Sequence, residues 1–393
     1  MNTSFLRDLF SQPTSPFRES LVVARVRKEL DGAKVPYFLD AIGNIVVGTQ
    51  SEKEYLKLLR TPSKEPLRVV IAHLDHPGFH GVEWLAADRL KIKWHGGSPI
   101  SHLEGASVWI ADASGFLDLK GKMTQVTMMA TGRPAIVHAQ ITFHGTDARS
   151  RFSDAKRLFG GFGFRAPVWE EGSLLYTKAA DDLGGVFAIV STAIDIWTDK
   201  KQRKERASFI GLLTRAEEVG FIGAIAHFNQ GILQKAKRPV LAVSLETSRA
   251  LPGAEIGKGP VVRLGDRATV FDAGALRVLT EVATKVLPGK HQRRIMDGGT
   301  CEATAATAFG LKAIGISIPL GNYHNQSFEG GPDSAGPDGP APEFIDKGDI
   351  EGMIALCKGL LAPGLAWADP WKTRVAEFRK MLMDYRPLLK EPK

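Results

Sequence analysis

Apolar runs and longer helical stretches alternate in two parts of the chain, residues 1 to 76 and about 165 to 362. Short runs rich in β-branched residues are followed by segments with helical periodicity, which is the pattern of an α/β sheet. The runs are apolar nearly throughout rather than alternating with polar residues, which is typical of strands covered on both faces. The pattern therefore predicts a three-layer αβα domain around a mostly parallel mixed sheet.

The clearest predicted elements belong to this α/β region. The predicted strands are 68–74 (RVVIAHL), 208–213 (SFIGLL), 239–245 (PVLAVSL) and 313–320 (AIGISIPL). The predicted helices are 184–198, 273–287 and 301–309.

The middle of the chain has a different pattern of apolar and polar residues. Between residue 78 and about residue 146, short segments alternate apolar and polar positions and are separated by Gly and Ser turns. This pattern predicts a small all-β, barrel-like domain inserted into the α/β domain. We therefore expect a discontinuous α/β domain of residues 1–76 and 148–393, interrupted by a β domain of residues 77–147. Residues 363–393 form a polar, helix-forming tail to which the sequence assigns no chemistry.

The composition is that of a soluble globular protein. The chain has 393 residues, of which 44% are hydrophobic and 24% charged. Its two cysteines make no disulfide framework and suit a reducing cytoplasm. No apolar run approaches the roughly 18 residues that a membrane span needs, and the first 20 residues lack the continuous apolar core of a signal peptide. We therefore expect a cytoplasmic protein without a membrane partner.

The net charge of +8 raises the question of nucleic-acid binding. The densest basic cluster, KKQRKER at 200–206, lies between a helix-like run and a strand. No aromatic residues interleave with it, and no RNA- or DNA-binding signature occurs elsewhere. This favours a solvated turn, and we expect no nucleic-acid partner.

Acidic residues and histidines follow the predicted strands. In chain order they are His73 and Asp75, Glu217 and Glu218, Glu246, and His324. A further acidic pair, Asp181 and Asp182, directly precedes a predicted helix. Ligands of open α/β sheets bind outside the carboxyl ends of the strands, so we expect these residues to converge there.

Each of these residues also has an ordinary structural interpretation. A single buried histidine, such as His73 or His324, is more often a hydrogen-bonded core residue than a ligand. The two adjacent aspartates would suit the cap of the helix that follows them. Thr214 and Glu217 fit the S/T-x-x-E capping box of a helix start. Together these interpretations require independent coincidences at several strand ends, which favours a shared metal site.

Two histidines and at least three carboxylates suit zinc, although cobalt and manganese accept similar ligands. The number of acids indicates two metal ions, about 3.5–4 Å apart, sharing one carboxylate and one water. Asp75, two residues after His73, would accept the second N–H of the imidazole and fix its tautomer. One carboxylate must stay free to deprotonate the water. The sequence contains neither a G-x-S-x-G elbow nor a P-loop.

Several segments, in this order, resemble the tetrahedral (TET, or glutamyl) aminopeptidase family of di-zinc exopeptidases. They are DAIGNIVVG, IAHLDHPGF, WHGGSP, KAADDLGGV, TRAEEVGFIGA, IGKGP, GGTCEATA and ISIPLGNYH. The similarity spans roughly residues 5 to 325 and includes the β insertion at its expected place.

The resemblance implies a set of site residues. His73 and Glu246 would be terminal ligands, one of each metal or of sites near them. Asp181 would bridge the two metals, and Glu218 and His324 would complete the pair of sites. Glu217 would be the general base, and the Asp181–Asp182 peptide bond would be cis. The β insertion would carry subunit contacts of a homo-oligomer.

Two departures from the family pattern keep alternatives open. The family usually has aspartate where this chain has Glu246, and glutamate there goes with carboxypeptidases or deacylases in the wider superfamily. In the family's HMDE segment, which reads HLDH here, His76 replaces an acid. The leading hypothesis is a di-zinc aminopeptidase acting on peptides. The alternatives are a carboxypeptidase or N-acyl amino acid amidohydrolase, and a non-catalytic binding protein that kept the scaffold.

Overall fold

The computed structural model describes residues 1–132, 134–144, 147–202 and 205–389. Two residues of the basic cluster, Arg203 and Lys204, and the last four residues of the predicted tail lie outside the described residues. None of the helices in the described ranges is long and apolar enough to cross a membrane.

Eighteen strands occur in the described residues and form three sheets. In chain order they are β1 (Tyr37–Leu39), β2 (Ile45–Val47), β3 (Leu67–His73), β4 (Gly78–Ala86), β5 (Arg89–His95), β6 (Ser107–Asp112), β7 (Gly115–Phe116), β8 (Gly121–Met128), β9 (Ile136–Phe143), β10 (Phe159–Phe162), β11 (Val168–Glu171), β12 (Leu174–Thr177), β13 (Phe209–Thr214), β14 (Val240–Arg249), β15 (Val261–Asp266), β16 (Gln292–Met296), β17 (Lys312–Leu320) and β18 (Glu343–Asp346).

Ten α-helices occur in the same ranges. They are α1 (Thr3–Ser11), α2 (Ser20–Gly32), α3 (Glu52–Arg60), α4 (Ala148–Arg151), α5 (Leu183–Thr198), α6 (Ile222–Phe228), α7 (Ala273–Val286), α8 (Glu302–Ala308), α9 (Lys347–Leu360) and α10 (Lys372–Tyr385).

The central sheet has the strand order β1–β2–β13–β3–β14–β17–β15–β16. Its middle strands pair in parallel, β13 with β3, β3 with β14 and β14 with β17, whereas β2 with β13 and β15 with β17 are antiparallel. Every residue of β3 and β13 is buried. Two groups of helices cover the sheet, one that includes α5 and α9 and another that includes α6 and α8. The predicted αβα domain with a mostly parallel mixed sheet is confirmed.

The predicted elements recur with small shifts in their ends, and one shift matters for the site. The apolar run predicted as strand 239–245 continues in the structure to Arg249. Glu246 therefore lies inside β14, where it is opposite Ser317 of β17, rather than beyond the end of the strand.

The second sheet is a closed antiparallel barrel. Its order is β10–β4–β5–β9–β8–β6–β7, and an additional pairing of β10 with β6 closes the ring. It encloses a hydrophobic core of its own, as the predicted barrel-like domain requires. Because β10 (Phe159–Phe162) completes this barrel, we propose that the insertion extends from residue 77 through Phe162 rather than ending at residue 147.

Closure of the barrel depends on glycine in β10. A Cβ at Gly160 would clash with the backbone oxygen of Trp109 and with the ring of Phe79. We expect Gly160→Ala to lower the free energy of unfolding by about 1–3 kcal/mol, the usual cost of overpacking. Thermal unfolding measures this loss. Gly32→Ala is the control, since a Cβ there meets nothing within 4 Å and alanine favours the helix. Equal melting temperatures of the two variants would contradict the expectation.

Candidate active site

The predicted site residues meet at one edge of the central sheet. His73 is the last residue of β3, and Glu217 and Glu218 lie in the loop after β13. Glu246 is near the carboxyl end of β14, and His324 follows β17 by four residues. Since β13, β3, β14 and β17 are consecutive neighbours, the topology brings their carboxyl ends together, as the sequence predicts.

Asp181 reaches the same edge from the third sheet, which has the order β11–β12–β18. It lies between β12 and α5, and the Asp181–Asp182 peptide bond is cis, which confirms that expectation. Asp182 is the N-cap of α5 and accepts hydrogen bonds from Gly185 N at 3.0 Å and Thr247 Oγ1 at 3.0 Å. The helix-cap interpretation therefore holds for Asp182, whereas the side chain of Asp181 faces the histidines.

The capping-box interpretation of Thr214 and Glu217 is wrong. Thr214 is the last residue of β13 and donates its hydroxyl hydrogen to Glu302. The next helix, α6, begins only at Ile222 and has no side-chain cap. Glu217 and Glu218 are thus loop residues before that helix, so capping does not account for two adjacent acids.

The carboxylate of Asp181 stands between the two histidines. Its Oδ1 lies 3.6 Å from His73 Nε2, and its Oδ2 lies 3.6 Å from His324 Nε2. Each imidazole also faces one of the adjacent glutamates. His73 Nε2 is 3.7 Å from Glu217 Oε2, and His324 Nε2 is 3.1 Å from Glu218 Oε2.

These side chains form three overlapping groups. Within each group, the candidate ligand atoms all lie within 4.8 Å of one another. The groups are His73 with Asp181 and Glu246, Asp181 with Glu218 and His324, and His73 with Glu217 and Glu218. Asp181 belongs to the first two, as a bridging ligand would. His73 and Glu246 fall in one group with Asp181, whereas the resemblance implies that they are ligands of the two different metals or of sites near them.

Unpartnered polar atoms support a cation site here. Among the described residues, Asp181 Oδ1, Glu218 Oε1 and His324 Nδ1 are buried and have no hydrogen-bond partner, and the 3.1 Å contact of His324 Nε2 with Glu218 Oε2 lacks hydrogen-bond geometry. Buried polar atoms in folded proteins are nearly always hydrogen-bonded, so a cluster of exceptions needs an explanation. Oxygen and imidazole donors are the ligands that zinc and similar divalent ions take, and these residues fit such ions.

The ionisation of the cluster indicates the same need for positive charge. Burial raises the pKa of Asp75 and of Glu246 to about 7, and the pKa of Glu302 to about 8. Burial also raises the pKa of Glu217 well above its ordinary value. Burial opposes the charged form of His324, yet Glu218 and Asp181 raise its pKa to about 9. More carboxylates are buried here than two histidines can neutralise.

Asp75 is tied to the backbone of the adjacent glutamates. Its carboxylate accepts hydrogen bonds from Glu217 N at 2.9 Å and Glu218 N at 3.2 Å. His73 Nδ1 lies 3.1 Å from the backbone oxygen of Asp75 and 3.7 Å from its Oδ1. The carbonyl rather than the carboxylate is therefore the nearer acceptor, and this contact leaves Nε2 of His73 free for a cation.

Glu343, in β18, is a site residue that sequence reasoning missed. It is fully buried, and its carboxylate accepts hydrogen bonds from the backbone amides of Ala180 at 2.6 Å, Asp181 at 3.1 Å and His324 at 2.8 Å. One side chain thus holds the backbone of both Asp181 and His324. It acts through amides that are remote in sequence, so no motif marks it.

His76, the residue that departs from the family's HMDE segment, is buried at the same place. Its Nδ1 lies 2.9 Å from the backbone oxygen of Asp181, and its Nε2 lies 3.3 Å from Asn325 Oδ1. It therefore links the segment after β3 to the loops that carry Asp181 and His324.

The inserted barrel contributes a wall to the site. Gly97 follows β5, and a Cβ at this position would clash with the imidazole ring of His324. Only a residue without a side chain lets the turn after β5 approach His324 so closely.

A family model matches more than half of the chain. Residues 57–328 match the model of the M42 glutamyl aminopeptidase family. A comparison with curated proteins gave no significant match.

Solved structures share the fold. The TET1 peptidase of Pyrococcus horikoshii, which can assemble into a tetrahedron or a large octahedral shell, is 19% identical with a TM-score of 0.70, covering 92% of this chain and 99% of its own. The aminopeptidase APDkam598 of the archaeon Desulfurococcus kamchatkensis is 18% identical with a TM-score of 0.71, covering 93% of this chain and 96% of its own. At these identities the likeness shows the fold alone.

The contacts of Glu343 generate a prediction. We expect Glu343→Gln to lower the affinity for divalent metal by about 10- to 100-fold, as loss of a residue that orients ligands does. Isothermal titration calorimetry with the divalent metal measures this affinity. Asp349→Asn is the matched control, because Asp349 is also buried and accepts from two backbone amides, those of Gly257 and Gly259. If both variants bound metal like the unmodified protein, the assigned role of Glu343 would be wrong.

Proposed function

Because the chain belongs to the M42 glutamyl aminopeptidase family and is a metallo-aminopeptidase of the hydrolase class, we propose that it removes N-terminal residues from peptides at the cluster around Asp181. The observation that carries the proposal is the carboxylate of Asp181 between His73 and His324, with further carboxylates on both sides.

Two divalent metal ions fit the donors of this cluster, and zinc suits them, with cobalt and manganese as alternatives. The residues that would hold them are His73, Asp181 and Glu246 on one side and Asp181, Glu218 and His324 on the other. When bound, the ions would polarise the scissile carbonyl and lower the pKa of the attacking water.

Glu217 serves as the general base in this proposal. Asp75 holds the backbone amides of both glutamates, which fixes the loop that carries them. Glu218 faces His324, while Glu217 lies toward His73 and is left to take a proton from the water. The same carboxyl group then returns the proton to the leaving amine.

Assembly and location belong to the proposal as well. We expect a homo-oligomer, since the structurally similar TET1 peptidase can assemble into a tetrahedron or a large octahedral shell. We expect the cytoplasm as location, because Cys301 and Cys357 are both free, buried thiols. We expect peptides as the partner, with no nucleic acid and no membrane.

One observation keeps the carboxypeptidase or amidohydrolase alternative as a second candidate. Beside Glu246 lies a small cavity that includes Arg263, whose buried Nη1 is 3.9 Å from Glu246 Oε2 and 3.1 Å from Ser248 Oγ. A guanidinium there would suit a substrate carboxylate. Turnover of free-amine aminoacyl amides alone supports the aminopeptidase. Turnover of N-acylated amino acids alone would favour the alternative.

Glu217→Gln separates the base from the ligands. We expect this variant to keep its metal and to lose hydrolysis by about 10²–10⁴-fold, because an amide cannot accept the proton. Glu218→Gln is the matched neighbour and should lose metal instead. Metal analysis together with hydrolysis of an aminoacyl amide measures both. Substantial residual turnover by Glu217→Gln would remove Glu217 as the base.

His73→Ala tests the ligand set. We expect about one metal ion fewer per chain, because the site with Asp181 and Glu246 loses its imidazole. His138→Ala is the control, as His138 lies in β9 of the barrel and faces the carbonyl of Ile92. Metal content is measured by elemental analysis after dialysis. Unchanged stoichiometry in His73→Ala would show that His73 is not a ligand.

A further inference from the structure

The C-terminal helix α10 presents a row of apolar side chains to solvent. None of its residues is buried. The row is Trp371, Val375, Phe378, Leu382 and Tyr385, with exposures from 40% to 61%. Their spacing of four, three, four and three residues is the a/d seam of a coiled-coil helix. An exposed seam of this kind marks a surface that packs against another structure.

Basic residues flank this seam and disfavour pairing of two tails. Lys372, Arg379 and Arg386 follow one another at seven-residue intervals and occupy the position next to the d residues. Residues 372–389 carry five basic and two acidic side chains, and so a formal charge of +3. Two such helices side by side would place basic residues against basic residues, which is unfavourable. The complementary surface should be apolar and acidic.

A groove elsewhere on this chain has that character. It has a volume of about 1000 Å³ and lies between α2, α5 and α9. Its apolar lining includes Phe5, Ala33, Ile194, Val286, Ile354 and Ala355. Four acidic residues and two basic residues also line it, namely Glu29, Asp195, Glu205, Glu351, Lys28 and Lys358. The lining side chains carry a formal charge of −2, opposite in sign to that of α10. Asp195 is paired with Lys358 and Glu29 with Arg25, which leaves Glu205 and Glu351 to face a basic partner.

We propose that α10 of one copy of this chain docks into this groove of a second copy. The tail begins at Pro363, which also lines the groove. The start of each tail is therefore near the groove of its own chain, and two copies related by a two-fold axis can exchange their tails. Such a reciprocal contact gives a closed, two-fold pair. The helix α10 lies outside residues 57–328, which match the family model, whereas the groove is lined partly by residues inside that range. The contact does not involve the metal cluster.

The path of the tail favours a second copy over the same chain. Arg277 Nε donates to the backbone oxygen of Pro370 at 2.8 Å, and its guanidinium lies 5.2 Å from the ring centroid of Trp371. The start of α10 is thus held beside Arg277 in α7, whereas the groove reaches α7 at Val286. From that anchored start, α10 extends into solvent and leaves the groove of its own chain open.

A membrane surface is the competing occupant, since basic helices with an apolar face also bind lipid. The acidic residues Glu377 and Asp384 on α10 favour a protein groove over an anionic lipid surface.

Disulfide capture tests the contact in full-length protein. The two native thiols, Cys301 and Cys357, are buried. We expect a mixture of Leu382→Cys and Ile354→Cys chains to give a disulfide-linked dimer under mild oxidation, while neither variant alone does. Met383→Cys is the matched control, because Met383 is 75% exposed but lies off the seam. A mixture without dimer, a dimer of Leu382→Cys alone, or an internal disulfide in the doubly substituted chain would overturn the proposal.

Charge reversal gives an independent measurement. We expect Arg379→Glu, next to the seam, to raise the dissociation constant of tail-dependent association at least tenfold in sedimentation velocity. Combining it with Glu205→Arg and Glu351→Arg in the groove should restore association. Lys380→Glu, away from the seam, is the control. Equal effects of Arg379→Glu and Lys380→Glu, or no restoration, would overturn the proposal. So would tail-dependent cosedimentation with phosphatidylserine vesicles without tail-dependent self-association.

Discussion

The crowding of buried carboxylates around Asp181 is the constraint on which the rest of the site depends. Four neighbouring strands of a central sheet end at one edge, so their terminal residues converge. Two histidines lie on either side of Asp181, yet the acids outnumber them, and burial raises the pKa of Glu246 to about 7. Such a cluster is costly without additional positive charge. Divalent cations would offset this cost, and they would also supply the polarised carbonyl and activated water of a metal-dependent peptidase.

A set of backbone contacts holds this unfavourable cluster in place. Asp75 binds the amides of Glu217 and Glu218, and Glu343 binds the amides of Asp181 and His324. Each buried carboxylate therefore fixes two chemically active residues through their main chain and leaves their side chains free. The division of work that we propose for the adjacent glutamates rests on this arrangement, since one loop presents Glu218 to His324 and Glu217 toward His73.

Much of the fold and most of the cluster could be predicted from the sequence, because buried parallel strands and their polar ends leave strong local patterns. The end of β14 was misplaced, since Glu246 interrupts an apolar run that the strand nevertheless continues. The capping box at Thr214 was wrong because a tertiary hydrogen bond to Glu302 uses its hydroxyl. Glu343 left no signal, since its partners are backbone amides distant in the chain, and β10 joins the barrel only through long-range pairing.

The most direct measurement of the central claim is anomalous scattering from a crystal of the metal-loaded protein, collected at the absorption edge of the bound metal. The account predicts two peaks per chain, one on each side of the Asp181 carboxylate. One would be close to His73 and Glu246, and the other close to Glu218 and His324. A single peak, or peaks at which Asp181 is not a shared ligand, would contradict it.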